Sequence, residues 1–381
     1  MATFYVPSVN LIGKGVVNEV GPYIKELGYK KALLVTDKFI EGSDILPKVL
    51  KPLDTEGIEY VIFSDVEPNP TCKNVTDGVA ALQEHGCDFI ISLGGGSPQD
   101  AASCISIMAT NGGKPQDYEG LHKSAKKGLP VVAINTTAGT SAEITINYVI
   151  TDEANKRKFV CVDVHDIPVV AVVDPDMMSS MPKGLTAATG MDALTHAIEG
   201  YTTKAAWALT DALHLEAIRL IAKHLRGAVE NTKEGREGMA LGQYVAGMGF
   251  SNVGLGIVHS MAHPLSAYYD TPHGIANAVL LPYVMEFNAP ETGEKFREIA
   301  RAMGVKGVDD MSQDEYRKAA INAVRQLSKD VGIPEKLHSI GVQEKDLVSL
   351  SQDALKDVCT GGNPRNCTAE DILEIYRLAF K

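Results

Sequence analysis

The sequence of 381 residues lacks several features that would place it quickly in a class. No stretch approaches the roughly 20 consecutive apolar residues that span a bilayer. The six cysteines include no Cys-x-x-Cys pair, no cluster of Lys and Arg stands out, and the net charge is -12. These absences disfavour a membrane span, a disulfide framework and a nucleic-acid surface.

The amino-terminal residues also lack a basic region followed by an apolar run, so we expect no signal peptide. Scattered thiols in a chain of this size are typical of the reducing cytoplasm, where most act as small apolar fillers. We therefore expect a cytoplasmic protein without membrane or nucleic-acid partners. The 45% apolar fraction supports a sizeable core, and the length favours two domains.

The first half of the chain has the pattern of an α/β domain. Short runs rich in β-branched residues, at 31–36, 60–63, 88–93, 129–135 and 169–173, alternate with segments of helical periodicity at 45–56 and 72–85. Continuous apolar strands separated by helices indicate a parallel sheet covered on both faces. Residues 145–150 and 158–162 are predicted to pair as a hairpin.

The second half changes character. Long amphipathic segments replace the β-branched runs after residue 176, at 209–229, 239–250, 276–287, 315–331 and 369–379. Thr368 and Asp371 have the spacing of a capping box at the start of the last segment. We predict an all-helical second domain that begins near residues 178–184.

Three strand ends carry residues suited to a nucleotide. Gly94-Gly-Gly-Ser-Pro98 stands where a strand meets a helix, and glycines there let a pyrophosphate approach unpaired N–H groups. Asp37 follows an early strand, where a carboxylate accepts from the ribose of NAD, although a helix cap is the ordinary role of such a residue. Residues 135–141 form a third, hydroxyl-rich loop. The Gly-x-Gly-x-x-Gly fingerprint is absent.

Five candidate metal donors lie between residues 192 and 273. Asp192 and His196 are four residues apart, as are His259 and His263, and such pairs share one helix face. His273 adds a nitrogen near the start of a third helix. Imidazole and carboxylate together suit iron(II), zinc, nickel or manganese, whereas any one histidine alone is more often a hydrogen-bonded core residue. The spacing does not decide which donors bind.

The motifs together resemble a known family. Gly94-Gly-Gly-Ser-Pro98, Thr136-Thr-Ala-Gly-Thr140, Thr189-Gly-Met-Asp-x-x-x-His196 and His259-x-x-x-His263-x9-His273-Gly274 are similar to those of the iron-containing (group III) alcohol dehydrogenases. The resemblance covers essentially the whole chain, with the motifs in the family's order. It implies a Rossmann-like α/β domain followed by an all-α domain, in the dehydroquinate-synthase-like architecture, and a homodimer. With the change in pattern described above, we place these domains at 1–181 and 182–381.

The resemblance also implies roles for particular residues. The metal, Fe(2+) or zinc or another divalent ion, is expected on Asp192, His196, His259 and His273, which leaves His263 beside the substrate as the candidate proton relay. Phe250 and Cys359 are the expected pocket walls. NAD contacts are expected from Asp37, Asn69, Gly95, Gly96, Ser97, Thr136, Thr137, Thr140, Asn147 and Lys158.

The implied activity is reversible hydride transfer between NAD and a small alcohol or aldehyde. Segments 146–152, 206–214, 242–252 and 357–365 resemble the members that act on lactaldehyde and 1,2-propanediol. Ser266 departs from the glycine usual in the family, which puts substrate size in question. A broad-range dehydrogenase of ethanol, butanol or 1,3-propanediol is the alternative within the family.

Two alternatives belong to other classes. A dehydroquinate-synthase-like lyase would need basic residues to hold a phosphorylated, carboxylated substrate, whereas residues 245–275 contain no Lys or Arg. A non-enzymatic metal- or nucleotide-binding protein leaves the occurrence of both kinds of site in one chain unexplained. The sequence therefore favours a dehydrogenase of small neutral substrates.

Overall fold

The computed structural model describes residues 2–155 and 157–381. By the contacts between residues, the chain divides into two compact units. The first comprises Met1–Thr137 with Ser141–Ser180, and the second comprises Ala138–Thr140 with Met181–Lys381. None of the helices in the described ranges is both long and apolar enough to cross a membrane.

The first unit is built on strands that alternate with helices, as the β-branched runs predict. Its strands are β1 (Val9–Ile12), β2 (Lys31–Val35), β3 (Glu59–Phe63), β4 (Phe89–Gly94), β5 (Gly120–Leu121), β6 (Val131–Asn135), β7 (Asn147–Asp152), β8 (Arg157–Val162) and β9 (Val170–Val173). Its helices are α1 (Val20–Leu27), α2 (Lys38–Glu41), α3 (Ile45–Glu56), α4 (Cys72–His85), α5 (Gly96–Asn111) and α6 (Pro175–Met178).

Six of the strands form one parallel sheet in the order β1-β9-β6-β4-β2-β3. Its central strands are apolar along their whole length and buried, because helices cover both faces. The register pairs Gly94 with Asn135, so the loops that follow β4 and β6 leave the sheet side by side. The carboxyl ends of the strands therefore gather the glycine-rich and hydroxyl-rich loops at one edge.

A smaller sheet completes this unit. β7 and β8 pair antiparallel, with Tyr148 opposite Cys161, and β5 joins β8 in parallel. The hairpin predicted from residues 145–162 is confirmed. β1 was absent from the predicted strands, because its four residues form a strand only through their pairing with β9, which lies far away in the sequence.

The second unit is helical, and the regular elements among its described residues are α-helices and short 3-10 turns. The helices are α7 (Lys183–Thr202), α8 (Ala208–Val229), α9 (Lys233–Phe250), α10 (Ile257–Tyr269), α11 (His273–Asn288), α12 (Lys295–Ala302), α13 (Gln313–Asp330), α14 (Leu347–Lys356) and α15 (Ala369–Phe380). The capping box of Thr368 and Asp371 is present. The predicted combination of a Rossmann-like parallel sheet with a helical carboxyl-terminal half is confirmed.

Candidate functional site

Three helices of the second unit carry the five candidate donors. Asp192 and His196 lie one turn apart on α7, His259 and His263 lie one turn apart on α10, and His273 is the first residue of α11. These are the helical placements that the four-residue spacings predict. The five donors, which are spread in sequence from residue 192 to residue 273, are thereby brought into one cluster.

A glycine allows α11 to approach α7. A Cβ added at Gly274 would lie 2.3 Å from the backbone oxygen of Ala188 and 3.3 Å from the Cβ of Asp192. Any side chain at this position would therefore push the first turn of α11 away from α7. The glycine sets His273 within reach of Asp192.

The donor atoms converge. Ligand atoms of Asp192, His196 and His259 lie within 4.8 Å of one another, and Asp192 Oδ1 is 3.8 Å from His259 Nε2 and 3.7 Å from His273 Nε2. Two donors about 2.1 Å from one ion are at most about 4.2 Å apart, so these separations are close to those of a shared ion. The structure brings the four expected ligands together.

The chemistry of this donor set fits a divalent metal. One carboxylate and three imidazoles are ligands that iron(II) and zinc accept. His196 Nδ1 is buried without a hydrogen-bond partner in the described chain. Asn277 Nδ2 lies 2.7 Å from Asp192 Oδ1, 3.1 Å from His259 Nε2 and 3.0 Å from His273 Nε2, and an amide has only two hydrogens for these three acceptors. The cluster thus holds more acceptor capacity than its own donors satisfy.

Burial lowers the pKa of two imidazoles of the cluster. It lowers the pKa of His259 well below the usual range, and the neighbouring His196, His273 and His263 lower it further. Burial also lowers the pKa of His196, against the opposing charge of Asp192. A neutral imidazole is the form that binds a metal, so these two histidines can bind one without first losing a proton.

A carboxylate outside the predicted set supports His259. Glu199 is buried on α7, and its Oε2 lies 2.6 Å from His259 Nδ1 while its Oε1 accepts from the backbone N–H of Val258 at 2.7 Å. Burial raises the pKa of Glu199 to about 8, although the backbone N–H groups of Val258, Gly256 and His259 act to lower it.

A second carboxylate holds His263. Asp357 Oδ2 lies 2.7 Å from His263 Nδ1, and Asp357 Oδ1 accepts from the backbone N–H of Cys359 at 2.9 Å. Burial alone would raise the pKa of Asp357, but the charge of His263 and their hydrogen bond outweigh it and set the pKa at about 2. The carboxylate is therefore ionised at neutral pH. These contacts place Cys359 next to the His263 pair.

Phe250 contacts the cluster directly, and Ser266 lies near the end of the helix that carries His259 and His263. The ring of Phe250 is buried and stacks on His196, with centroids 4.2 Å apart and planes 12° apart. Ser266 is buried near the end of α10, and its hydroxyl donates to the backbone oxygen of Thr271 at 2.9 Å. This hydrogen bond fixes the turn that leads into His273, and a glycine at position 266 could not make it.

The nucleotide candidates of the first unit are interconnected around α5. The Ser97 hydroxyl accepts from the backbone N–H of Asn69 at 3.2 Å, and Asn69 Oδ1 accepts from Lys158 Nζ at 2.7 Å. Gly96 begins α5, and a Cβ added at Gly95 would lie 2.8 Å from Cγ2 of Thr137. The predicted phosphate loop therefore leaves no room for a side chain at its helix N-terminus.

The four remaining nucleotide candidates occupy separate positions. Asp37 caps α2 through Oδ1, which accepts from the Ile40 N–H at 2.8 Å, so the ordinary cap role is present. The Thr136 N–H donates to the Gly94 oxygen at 3.1 Å, which joins the two loops, and Asn147 begins β7. Thr140, which belongs to the second unit, has a buried hydroxyl without a partner among the described residues.

Four residues near these sites were missed by the sequence reasoning. Glu199 and Asn277 had an available signal, because each lies one helical turn from a predicted ligand, at His196 and His273. Asp357 had none, since it follows His263 by 94 residues. Asp100 lies on α5, where burial raises its pKa to about 8 against the opposing Val149 N–H and Lys158.

A parallel sheet with phosphate-type loops in one unit and a carboxylate-imidazole cluster in the other are the features of a metal-dependent enzyme linked to a nucleotide. Comparison with known proteins specifies the class. Residues 7–175 match the family model of iron-containing alcohol dehydrogenase, and residues 186–380 match that of the Fe-containing alcohol dehydrogenase family, C-terminal.

Comparison with individual proteins supports the same family. The chain is 56% identical over 370 residues to lactaldehyde reductase of Escherichia coli (strain K12), with 97% of each chain covered. It is 45% identical over 384 residues to 1,3-propanediol dehydrogenase of Citrobacter freundii, with 100% of this chain and 99% of the relative covered. It superposes on a crystal structure of 1,3-propanediol oxidoreductase with a TM-score of 0.98, at 45% identity and complete coverage of both chains.

The chain therefore belongs to the iron-containing alcohol dehydrogenase family. It is an oxidoreductase that acts as an alcohol dehydrogenase or aldehyde reductase. The family implies a metal ion and NAD(H) as cofactors.

Proposed function

We propose that this protein interconverts lactaldehyde and 1,2-propanediol, with iron(II) and NAD(H). The observation that carries the proposal is the cluster of Asp192, His196, His259 and His273, in which both His259 Nε2 and His273 Nε2 lie within 3.8 Å of Asp192 Oδ1. The choice of substrate is supported by the 56% identity to a lactaldehyde reductase over nearly the whole chain.

These four side chains would hold the ion. When bound, the ion supplies Lewis acidity toward an alcohol or carbonyl oxygen, and NAD(H) supplies or accepts the hydride. The imidazoles of His196 and His259 remain neutral because they are buried. Phe250 covers His196 with its ring, and this apolar cover keeps water away from one side of the cluster.

His263 would exchange the proton of the substrate hydroxyl. Its Nδ1 is paired with Asp357, so Nε2 is the atom left for proton transfer. Its side chain is 15% exposed, compared with 3% for His259, which gives it access to water. The same ring lies 5.4 Å from His273, close to the proposed ligands.

The nucleotide would be held at the strand ends that carry the glycine-rich and hydroxyl-rich loops. The proposed contacts are Asp37, Asn69, Gly95, Gly96, Ser97, Thr136, Thr137, Thr140, Asn147 and Lys158. The N-terminus of α5 suits the pyrophosphate, because its first N–H groups are unpaired within the helix. The Asp37 carboxylate would accept from a ribose hydroxyl and repel a 2′-phosphate, so we propose NAD rather than NADP.

The cellular setting follows from the cysteines. All six are free thiols, and three are buried within the core. We propose that the enzyme works in the reducing cytoplasm, where such thiols persist.

An anaerobic kinetic assay tests the proposed substrate. Metal-free protein would be loaded with iron(II) and mixed with NADH and a panel of short aldehydes that includes lactaldehyde, 3-hydroxypropanal and acetaldehyde. The proposal expects catalytic loss of NADH absorbance with the highest kcat/KM on lactaldehyde. A higher value on 3-hydroxypropanal would instead support 1,3-propanediol as the physiological product, the activity named for two of the relatives. Loss of one NADH per protein, or none, would contradict a dehydrogenase.

A further inference from the structure

Glu199 occupies a position that joins two helices of the metal cluster. It follows His196 by three residues on α7, and its carboxylate reaches the first turn of α10. There Oε1 accepts from the Val258 N–H at 2.7 Å, and Oε2 accepts from the His259 N–H at 3.4 Å. The carboxylate thus caps α10 from another helix.

The local sequence makes room for this cap. The residue at the N-cap of α10 is Gly256, which provides no side-chain hydrogen bond of its own. A Cβ at this position would lie 2.9 Å from Glu199 Oε1 and 2.9 Å from Asn363 Oδ1, and the latter accepts from the Ile257 N–H at 3.3 Å. Glycine therefore leaves room for the oxygens of Glu199 and Asn363, which are distant in sequence, to reach the N–H groups that begin the helix.

The same carboxylate decides which nitrogen of His259 carries hydrogen. Glu199 Oε2 lies 2.6 Å from Nδ1, and both carboxylate oxygens already accept from the backbone N–H groups of Val258 and His259. The carboxylate therefore acts as the acceptor in this contact, with the hydrogen on Nδ1 and the lone pair on Nε2. Nε2 is the atom that faces Asp192 Oδ1 at 3.8 Å.

The contact of Asn277 with the His259 ring supports the same placement of the hydrogen. Asn277 Nδ2 lies 3.1 Å from His259 Nε2 and 2.7 Å from Asp192 Oδ1, and only the amide nitrogen can face that carboxylate oxygen without repulsion. The opposite arrangement, with hydrogen on Glu199 and on Nε2, would point two N–H donors at each other. Both neighbours of the ring therefore require the same tautomer.

We propose that Glu199 is a positioning residue that holds the imidazole of His259 in the orientation and tautomer needed to present Nε2 to a divalent metal ion. The inference rests on the proposed assignment of His259 as a ligand. Carboxylates that hold metal-binding histidines through the other ring nitrogen typically contribute 10- to 100-fold to metal affinity.

The test is the metal affinity of Glu199→Gln, measured by competition with a chromophoric chelator for zinc(II). The glutamine keeps the shape but has one acceptor oxygen, which cannot serve both Val258 and His259. We expect affinity to fall about 10- to 100-fold. Asp174→Asn is the matched control, because Asp174 is also a buried carboxylate that accepts from backbone N–H groups, those of Gly15, Val17 and Asp176. Its affinity should equal that of the wild type.

The outcomes distinguish the role of Glu199 from the assignment of His259 as a ligand. Wild-type affinity in Glu199→Gln, together with a large loss in His259→Ala, would overturn the role of Glu199 and leave the metal site in place. Undiminished affinity in His259→Ala would refute the ligand assignment and the inference together.

A second measurement does not depend on the folding of a Glu199 variant. Nitrogen NMR of metal-free wild-type protein with labelled histidine reports the tautomer of each ring, and the His259→Ala spectrum identifies the signal. We expect hydrogen on Nδ1 of His259. Hydrogen on Nε2 would overturn the inference.

Discussion

His263 Nδ1 and Asp357 Oδ2 lie 2.7 Å apart in a hydrogen bond between α10 and the 3-10 turn that follows α14. Asp357 also accepts from the backbone N–H of Cys359 and from the Ser260 hydroxyl at 3.3 Å, so the carboxylate is itself fixed. His263 therefore has one defined nitrogen, Nε2, left to exchange a proton.

Replacement of Asp357 by Asn should impair proton transfer more than binding. The amide cannot stabilise a charged imidazole, so we expect kcat to fall about 10- to 100-fold while the metal content stays at the wild-type level. Steady-state kinetics and elemental analysis of the same preparation measure both quantities. An unchanged kcat would remove Asp357, and with it the proposed relay through His263, from the reaction.

Replacement of Asp192 by Asn should remove the metal. Asp192 is the one carboxylate among the four proposed ligands, and its loss leaves the ion without a charged donor. We expect bound metal below one tenth of the wild-type content and kcat/KM at least about 100-fold lower. Asp211→Asn is the control, because Asp211 lies in the same unit but pairs with Lys295. This variant should keep the wild-type metal content. If Asp192→Asn kept both metal and turnover, the site would be elsewhere.

Two glycines that enclose His214 should not tolerate alanine. A Cβ at Gly200 or at Gly249 would lie 2.3 Å from His214 Nε2, and the ring is fully buried. We expect each alanine variant to lower the free energy of unfolding by about 1–3 kcal/mol, as overpacking does. Chemical denaturation measures the change.

Gly184→Ala provides the contrast for those variants. It lies in the first turn of α7 with no atom within 4 Å of an added Cβ, so alanine should be neutral or stabilise by up to about 1 kcal/mol. Equal effects at Gly184 and Gly249 would show that the His214 contact is not the cause.

Replacement of Asp37 by Ser should relax the choice of nucleotide. Serine is also a good helix cap, so α2 keeps its N-terminal bond while the negative charge is lost. We expect the ratio of kcat/KM for NADPH to that for NADH to rise roughly 10-fold or more, because a like charge no longer opposes the 2′-phosphate. Asp44→Ser, the same change at the N-cap of α3, should leave the ratio unaltered.

The parts that the sequence predicted well are those governed by local periodicity. Helical spacing placed Asp192 with His196 and His259 with His263 on common faces, and α3 and α4 have the predicted bounds. The apolar runs identified the central strands, since a parallel strand buried on both faces has no polar alternation.

The parts that it missed depend on partners distant in the chain. Asp357 meets His263, and β1 pairs with β9, only after the fold has formed, and no short-range pattern marks either pairing. Glu199 is a different case, because it continues the helical face of Asp192 and His196 and could have been read from it. Its contact with α10 could not have been predicted in this way, because the cap depends on the absence of a side chain at Gly256.

The cap at the start of α10 joins the proposed metal ligand His259 to the local stability of this helix end. The Val258 and His259 N–H groups donate to the carboxylate that also holds the His259 ring, so fraying of this turn would free the proposed ligand and both N–H groups at once. The rate at which these two amides exchange with deuterium should therefore track the rate of metal loss, and added metal should slow both.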